Sequence, residues 1–332
     1  MPNALKILLT FSVAALAAMA GDDMLRGPVS GLLLDAASGS IRPILGTAGA
    51  AYAGAPAVRG ADYASPAANG RQALVARNGS LYLLRRLGAG APVWRTLRED
   101  ASDLGLSVFS ASGAALALHD TAHHRLELWN HLHDIPEPAG EIDLNYIPGR
   151  LVSLAIHDDG ATVFAAFQET PETATLHLLR PQAAPRLLLT LERAGALLLS
   201  DDALFLADRG RNEILRLTDW DTAFRLTTIA AAGHGVEDPV GIALAEDAKT
   251  LFVASGASRQ VLAVDVAQQA VKAALDLSFR PTQLQRSGNL LLLASGVPGA
   301  QPAQVLDPAR FEVFFVPVGV LPAAAAPADA DF

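Results

Sequence analysis

Short apolar runs separated by tight polar turns recur along this chain roughly every 40 to 47 residues. The turns fall at Asn69-Gly70, Ser112-Gly113, Asp159-Gly160, Asp201-Asp202, Asp247-Ala248 and Ser287-Gly288, and each precedes a run rich in Leu, Val, Phe and Ala. Gly, Asn and Asp mark such turns because they tolerate or stabilise the dihedrals a reversal needs. The pattern is clearest where residues 240–244 read as a first strand, 246–248 as a turn, 250–255 as a second strand and 260–265 as a third. Residues 270–277 follow as an outer strand whose sequence also suits a helix. Small residues such as Gly241 and Ala243 on the innermost strand fit a convergence of neighbouring units toward one axis. Four strands in a period of this length make one propeller blade.

The same order fits 61–64, 72–77, 80–85 and 93–97; then 104–109, 115–119, 125–129 and 141–144; then 151–156, 162–167, 175–179 and 186–191. It continues through 197–200, 203–208, 213–218 and 224–229, and ends with 282–285, 289–295, 304–306 and 312–316. Ahead of these six full units, 31–35 and 40–45 flank the turn Ala37-Ser38-Gly39 and read as the third and fourth strands of a further unit. An isolated hairpin is marginal in water and open sheet edges invite pairing, so this one must join the ring. The fold class predicted is all-β: a single propeller over residues 27–318, with seven blades favoured and six the alternative. In the seven-bladed form the hairpin makes a reduced blade, completed by a strand near 319–322. The tail 319–332, rich in Ala and Pro, is expected to be disordered.

Lys6, the apolar stretch 7–18 and Ala18-Met19-Ala20 before Gly21 have the layout of a secretory signal peptide over residues 1–20, cleaved near Ala20. The stretch is too short to span a bilayer. The expectation is therefore a secreted or periplasmic mature protein with no membrane span. With no cysteine, disulfides and thiolate metal sites are excluded. A net charge of −9 and scattered basic residues exclude the footprint of a nucleic-acid binder.

Two polar constellations invite a chemical reading. His119, Asp120, His123 and His124, with His131, His133 and Asp134, hold imidazole and carboxylate donors, but the two groups fall on loops at opposite ends of a blade. The carboxylate pairs Asp158-Asp159, Asp201-Asp202 and Glu246-Asp247 recur at one repeat position, the first turn of a blade, and so serve the turn rather than acid–base catalysis. No nucleophile elbow or phosphate loop is present. A sugar platform would have to use Tyr82, Trp94, Trp129, Tyr146 or Trp220.

The run Leu204-Phe205-Leu206-Ala207-Asp208-Arg209-Gly210-Arg211-Asn212-Glu213-Ile214 resembles the NHL repeat, with Glu213 where Arg is typical, and Asp238-Pro239-Val240-Gly241-Ile242-Ala243 resembles the strand start shared by NHL and YVTN-type propellers. The resemblance spans roughly residues 29–318 in pattern and is sharp over 195–285. It implies a bacterial, secreted propeller. Some relatives in this superfamily are calcium-dependent lactonases with an acidic residue at a strand start; here Val240-Gly241 stands there, and Asp238 could substitute only if its loop turns inward.

The function these readings favour is a non-enzymatic, exported propeller acting as a binding or scaffold module for a protein or cell-envelope ligand, such as an envelope glycan, through loops at one face. It would need no cofactor. Because strands are committed to the core, candidates are loop residues: Arg77, Asn78, His119, Asp120, Gln168, Glu169, Asp208, Arg209, His234 and Asp238. The alternative is a metal-dependent hydrolase or lactonase with calcium or zinc in the channel, which requires Asp, Glu, His or Asn from several blades to converge on the axis.

Overall fold

The computed structural model describes residues 28–317 except 36, 48 and 296–302. The leader at 1–20, the strand near 319–322 and the tail lie outside the described residues. Seven antiparallel sheets, each built from consecutive strands, form the blades. The innermost strands are Val29–Asp35, Tyr63–Pro66, Leu104–Phe109, Arg150–Ile156, Ala194–Leu199, Pro239–Leu244 and Gln283–Ser287. Each packs beside the next, and the seventh returns to the first. This is a seven-bladed propeller.

The N-terminal hairpin departs from its predicted place. Its strands, Val29–Asp35 and Ser40–Leu45, are the first and second of blade 1, because Val29–Asp35 is the strand that meets the innermost strands of blades 2 and 7. The blade is completed outward by the two-residue strand Tyr52–Ala53 and by a bridge from Ile41 to Val58. Pro43 explains why that third strand is so short. Its carbonyl accepts the Gly54 amide at 2.8 Å, but proline offers no N–H in return, so the ladder stops there.

The six remaining blades have four strands each, and the predicted strands are found with small shifts. Residues 270–276 form a strand, not a helix, and pair with Gln260–Asp265. Blade 3's outer strand begins at Glu137, earlier than predicted, since Pro138 is tolerated on an outermost edge. Blade 5 begins at Ala194 because a β-bulge spans residues 194–197. Similar irregularities interrupt the innermost strands of blades 1, 3, 4 and 6. A bulge adds one residue on one strand, increases the twist and re-aims side chains.

The core lies between blades. Leu, Val, Ile and Ala of facing sheets form seven buried clusters, such as the one joining blades 5 and 6 through Phe205, Ile214, Val253 and Leu262. Near the axis the spacing tightens to backbone contact: a Cβ added at Gly241 would stand 2.5 Å from the Leu284 amide nitrogen.

Candidate functional site

Loops joining second to third strands, and those joining blades, leave the ring at one end; the remaining turns leave at the other. The channel between the innermost strands opens into a cavity at each end. Its waist is apolar, with Ala155, Ile156, Ala196, Leu197, Ala243 and Leu284.

At the inter-blade end a cavity of about 610 Å³ is lined by Arg150, Arg193 and Arg209, by Gln168, Gln283 and Ser153, and by small apolar residues. Val152 and Val240 reach this lining because they occupy the bulges of their strands. Beside it stands Asp238, on the connection between blades 5 and 6, with φ +49° and its amide donating to Asn212 Oδ1 at 2.7 Å. Its Oδ1 accepts Arg193 Nη2 at 3.0 Å and Arg209 Nε at 2.9 Å, and its Oδ2 accepts Arg280 Nη2 at 3.1 Å. The carboxylate is only 13% exposed. Burial works against its ionisation, but the hydrogen bond and charge of Arg209, with Arg280 and Arg193, outweigh it and hold the pKa below the usual carboxylate range. Asp238 is thus engaged by guanidinium groups rather than held open toward the channel axis.

Of the loop candidates, Gln168, Arg209 and Asp238 meet here. Gln168 Oε1 accepts the Ala194 amide at 3.1 Å while Nε2 donates to Glu192 O at 3.3 Å, tying blade 4 to the start of blade 5. Glu169 turns aside and accepts from Thr175 Oγ1. Asp208 is 0% exposed and accepts four backbone amides, those of Glu192, Arg193, Gly210 and Arg211, at 3.0 to 3.2 Å. It shapes the loop that presents Arg209. Asp120 has the same place in blade 3; burial opposes its ionisation, yet His123 and Arg125 hold its pKa low. His119, the residue before it on the same strand, is half-buried. His234 Nδ1 accepts the Ala231 amide across a short 3-10 turn. Arg77 and Asn78 belong to blade 2, across the ring, where Asn78 and Gly79, both at positive φ, make a two-residue hairpin turn.

Arg150, Arg193, Arg280 and Gln283 were not among the sequence candidates. A signal for them exists: Arg150, Arg193 and Arg280 each stand at or just before the start of an innermost strand, a repeated position that the ring brings to one mouth.

The opposite mouth opens into a cavity of about 1470 Å³. Here Asn69 Nδ2 donates to Gln72 Oε1 at 3.3 Å, and Gln72 Nε2 lies 3.1 Å from His133 Nδ1. His133 and the trio of His119, His123 and His124 are thus at opposite ends of the ring, as their loops imply. Among the described residues no three His, Asp or Glu side chains converge as a metal ligand set. The acidic turns do structural work: Asp159 Oδ1 accepts the Ala161 and Thr162 amides, and Asp158 Oδ1 binds Ser112 of the neighbouring blade. Trp220 packs edge-on against Phe164, and Tyr82 against Trp94, so these aromatics serve packing.

No protein-family model matches the chain, and no curated protein matches it. Solved structures do resemble it in fold. A Kluyveromyces lactis Hsv2 structure (complete loop 6CD) is 9% identical, covers 74% of this chain and 72% of its own, and has a TM-score of 0.50. A streptogramin B lyase is 11% identical, covers 79% of this chain and 85% of its own, and has a TM-score of 0.51. At such identities the likeness defines the fold alone: a seven-bladed β-propeller, an architecture that hosts unrelated functions.

Proposed function

We propose that this chain is an exported propeller of the NHL or YVTN type, acting as a non-enzymatic binding module for a protein or cell-envelope component through the inter-blade face of its ring. One observation carries the reading. Strand ends and connections of blades 4 to 7 bring Gln168, Arg193, Arg209 and Gln283 around one concave mouth, where Gln168 and Arg193 are held by inter-blade hydrogen bonds. Concave sites with a few convergent polar groups are where ligands bind. Between the mouths the channel lining includes Ala155, Ile156, Ala196 and Ala243, which carry no reactive group. The signal-like sequence at residues 1–20 supports an exported role for such a module.

The test is capture from envelope extracts on the immobilised chain, comparing Arg193→Ala/Arg209→Ala with Arg71→Ala/Arg86→Ala at the opposite mouth. A partner retained by the wild type and the second variant but lost by the first is expected. Equal retention by all three would remove this face as the binding surface.

A further inference from the structure

The inter-blade mouth holds a charge imbalance that the fold does not require. Arg150, Arg193 and Arg209 line its cavity, and no carboxylate does. The adjacent acid, Asp238, is shared by Arg193, Arg209 and Arg280, and Arg150 makes no ion pair with a described residue. Three positive charges therefore line a cavity that no negative charge lines, in a chain whose net charge is −9, while Asp238, Asp208 and Glu192 lie outside that lining. A staple between blades needs one arginine on Asp238; the second and third add mutual repulsion. Concentrating guanidinium groups against the overall charge is what recognition of an anion demands.

We propose that this mouth binds the anionic oxygens of a multiply charged acidic ligand, carboxylate or phosphate. This deepens the binding reading above and rests on it. The guanidinium group carries five N–H donors in a planar fork that matches carboxylate and phosphate. Asp238 engages only some of them, and it does so in the manner the ligand would. Arg193 Nη2 also donates to Arg209 O at 3.2 Å, so these two side chains are ordered before any ligand arrives. Gln168, Gln283 and Ser153 add neutral polar groups to the same wall. The cavity, about 610 Å³, is sized for a small molecule or for the acidic end of a larger one.

The full chain is titrated with citrate and with tripolyphosphate at constant ionic strength, against sodium chloride as control, by calorimetry and thermal shift. Saturable binding of at least one anion is expected, weakened about tenfold by Arg193→Gln/Arg209→Gln and left within about twofold by Arg71→Gln/Arg86→Gln, since a charge-assisted hydrogen bond is worth a factor of this order. Arg150→Gln is the second variant: with no ion pair to lose, it keeps the fold and is also expected to weaken binding. Citrate binding alone points to a carboxylate ligand, tripolyphosphate binding alone to a phosphate one, and each supports the proposal. No saturable binding beyond the chloride control, or equal loss in variants of both mouths, overturns it. If neither anion binds while Arg193→Ala/Arg209→Ala still loses its envelope partner, the anion site is wrong and the binding face stands.

Discussion

Ser287 on blade 7 holds Leu32 on blade 1 by both of its backbone groups: Ser287 Oγ accepts the Leu32 amide at 2.7 Å and donates to the Leu32 carbonyl at 2.9 Å. With Asn289 N on Ser30 O, this is the polar seam that closes the ring, and Gly288 N reaches past blade 1 to Ala68 O in a turn of blade 2. The hydroxyl is buried, so water does not compete for it.

Ser287→Ala leaves a buried N–H and C=O of Leu32 unpaired, which costs about 2 to 3 kcal/mol. Urea unfolding is expected to show the loss with an unchanged slope. A shift below about 0.5 kcal/mol, the range of an ordinary surface substitution, would mean the seam is closed by apolar packing alone.

Asp208→Ala removes the acceptor of four backbone amides in a fully buried position. The expected destabilisation is about 3 kcal/mol, with Asp208→Asn intermediate because it keeps one acceptor oxygen. Proteolysis should then begin near Arg209 and Arg211; protection of that loop in the Ala variant would contradict the role given to Asp208.

Gly241→Ala places a methyl group against the Leu284 backbone, where nothing flexible can yield. Overpacking of this kind costs about 1 to 3 kcal/mol. A melting temperature equal to the wild type would show that blades 6 and 7 can separate at the axis.

His177 is buried, edge-on to Phe167 at 5.7 Å between ring centres, and both ring nitrogens lack a hydrogen-bond partner. Burial pushes its pKa below the ordinary value of 6.5, with Glu169 opposing. The unfolded chain then binds the proton more readily than the folded one, so stability is full above pH 6.5 and falls as pH drops below it. His119 is shifted the same way, by burial and by the charge of His124. Replacing His177 with Leu should flatten part of the acid slope in denaturation curves taken from pH 7 to pH 5; an unchanged slope would exclude this imidazole as a cause.

The blade strands were legible because turn residues and alternating apolar positions recur at a fixed spacing, as in 240–265, where predicted and observed strands nearly coincide. The place of the first hairpin was not, since the first-to-second and third-to-fourth strand hairpins of a blade have similar patterns and the turn Ala37-Ser38-Gly39 carries no mark of its rank. Pro43 was the available clue, because it denies blade 1 a long third strand. Of the sequence candidates, Gln168, Arg209 and Asp238 lie at this mouth, Gln168 near the end of a strand rather than in a loop. Arg193 and Arg280 were missed because their meeting on Asp238 spans two blade boundaries, a relation that exists only once the ring is formed.

Every blade except the first is joined to its predecessor by a short covalent connection, whereas blades 7 and 1 meet with no connecting segment and no shared sheet. Opening any other junction leaves its two surfaces tethered at high effective concentration, but opening this one releases them into a far larger volume. The molecule therefore has a preferred place to come apart, and the Ser287 seam behaves less like the middle of a domain than like an interface between two subunits of one chain.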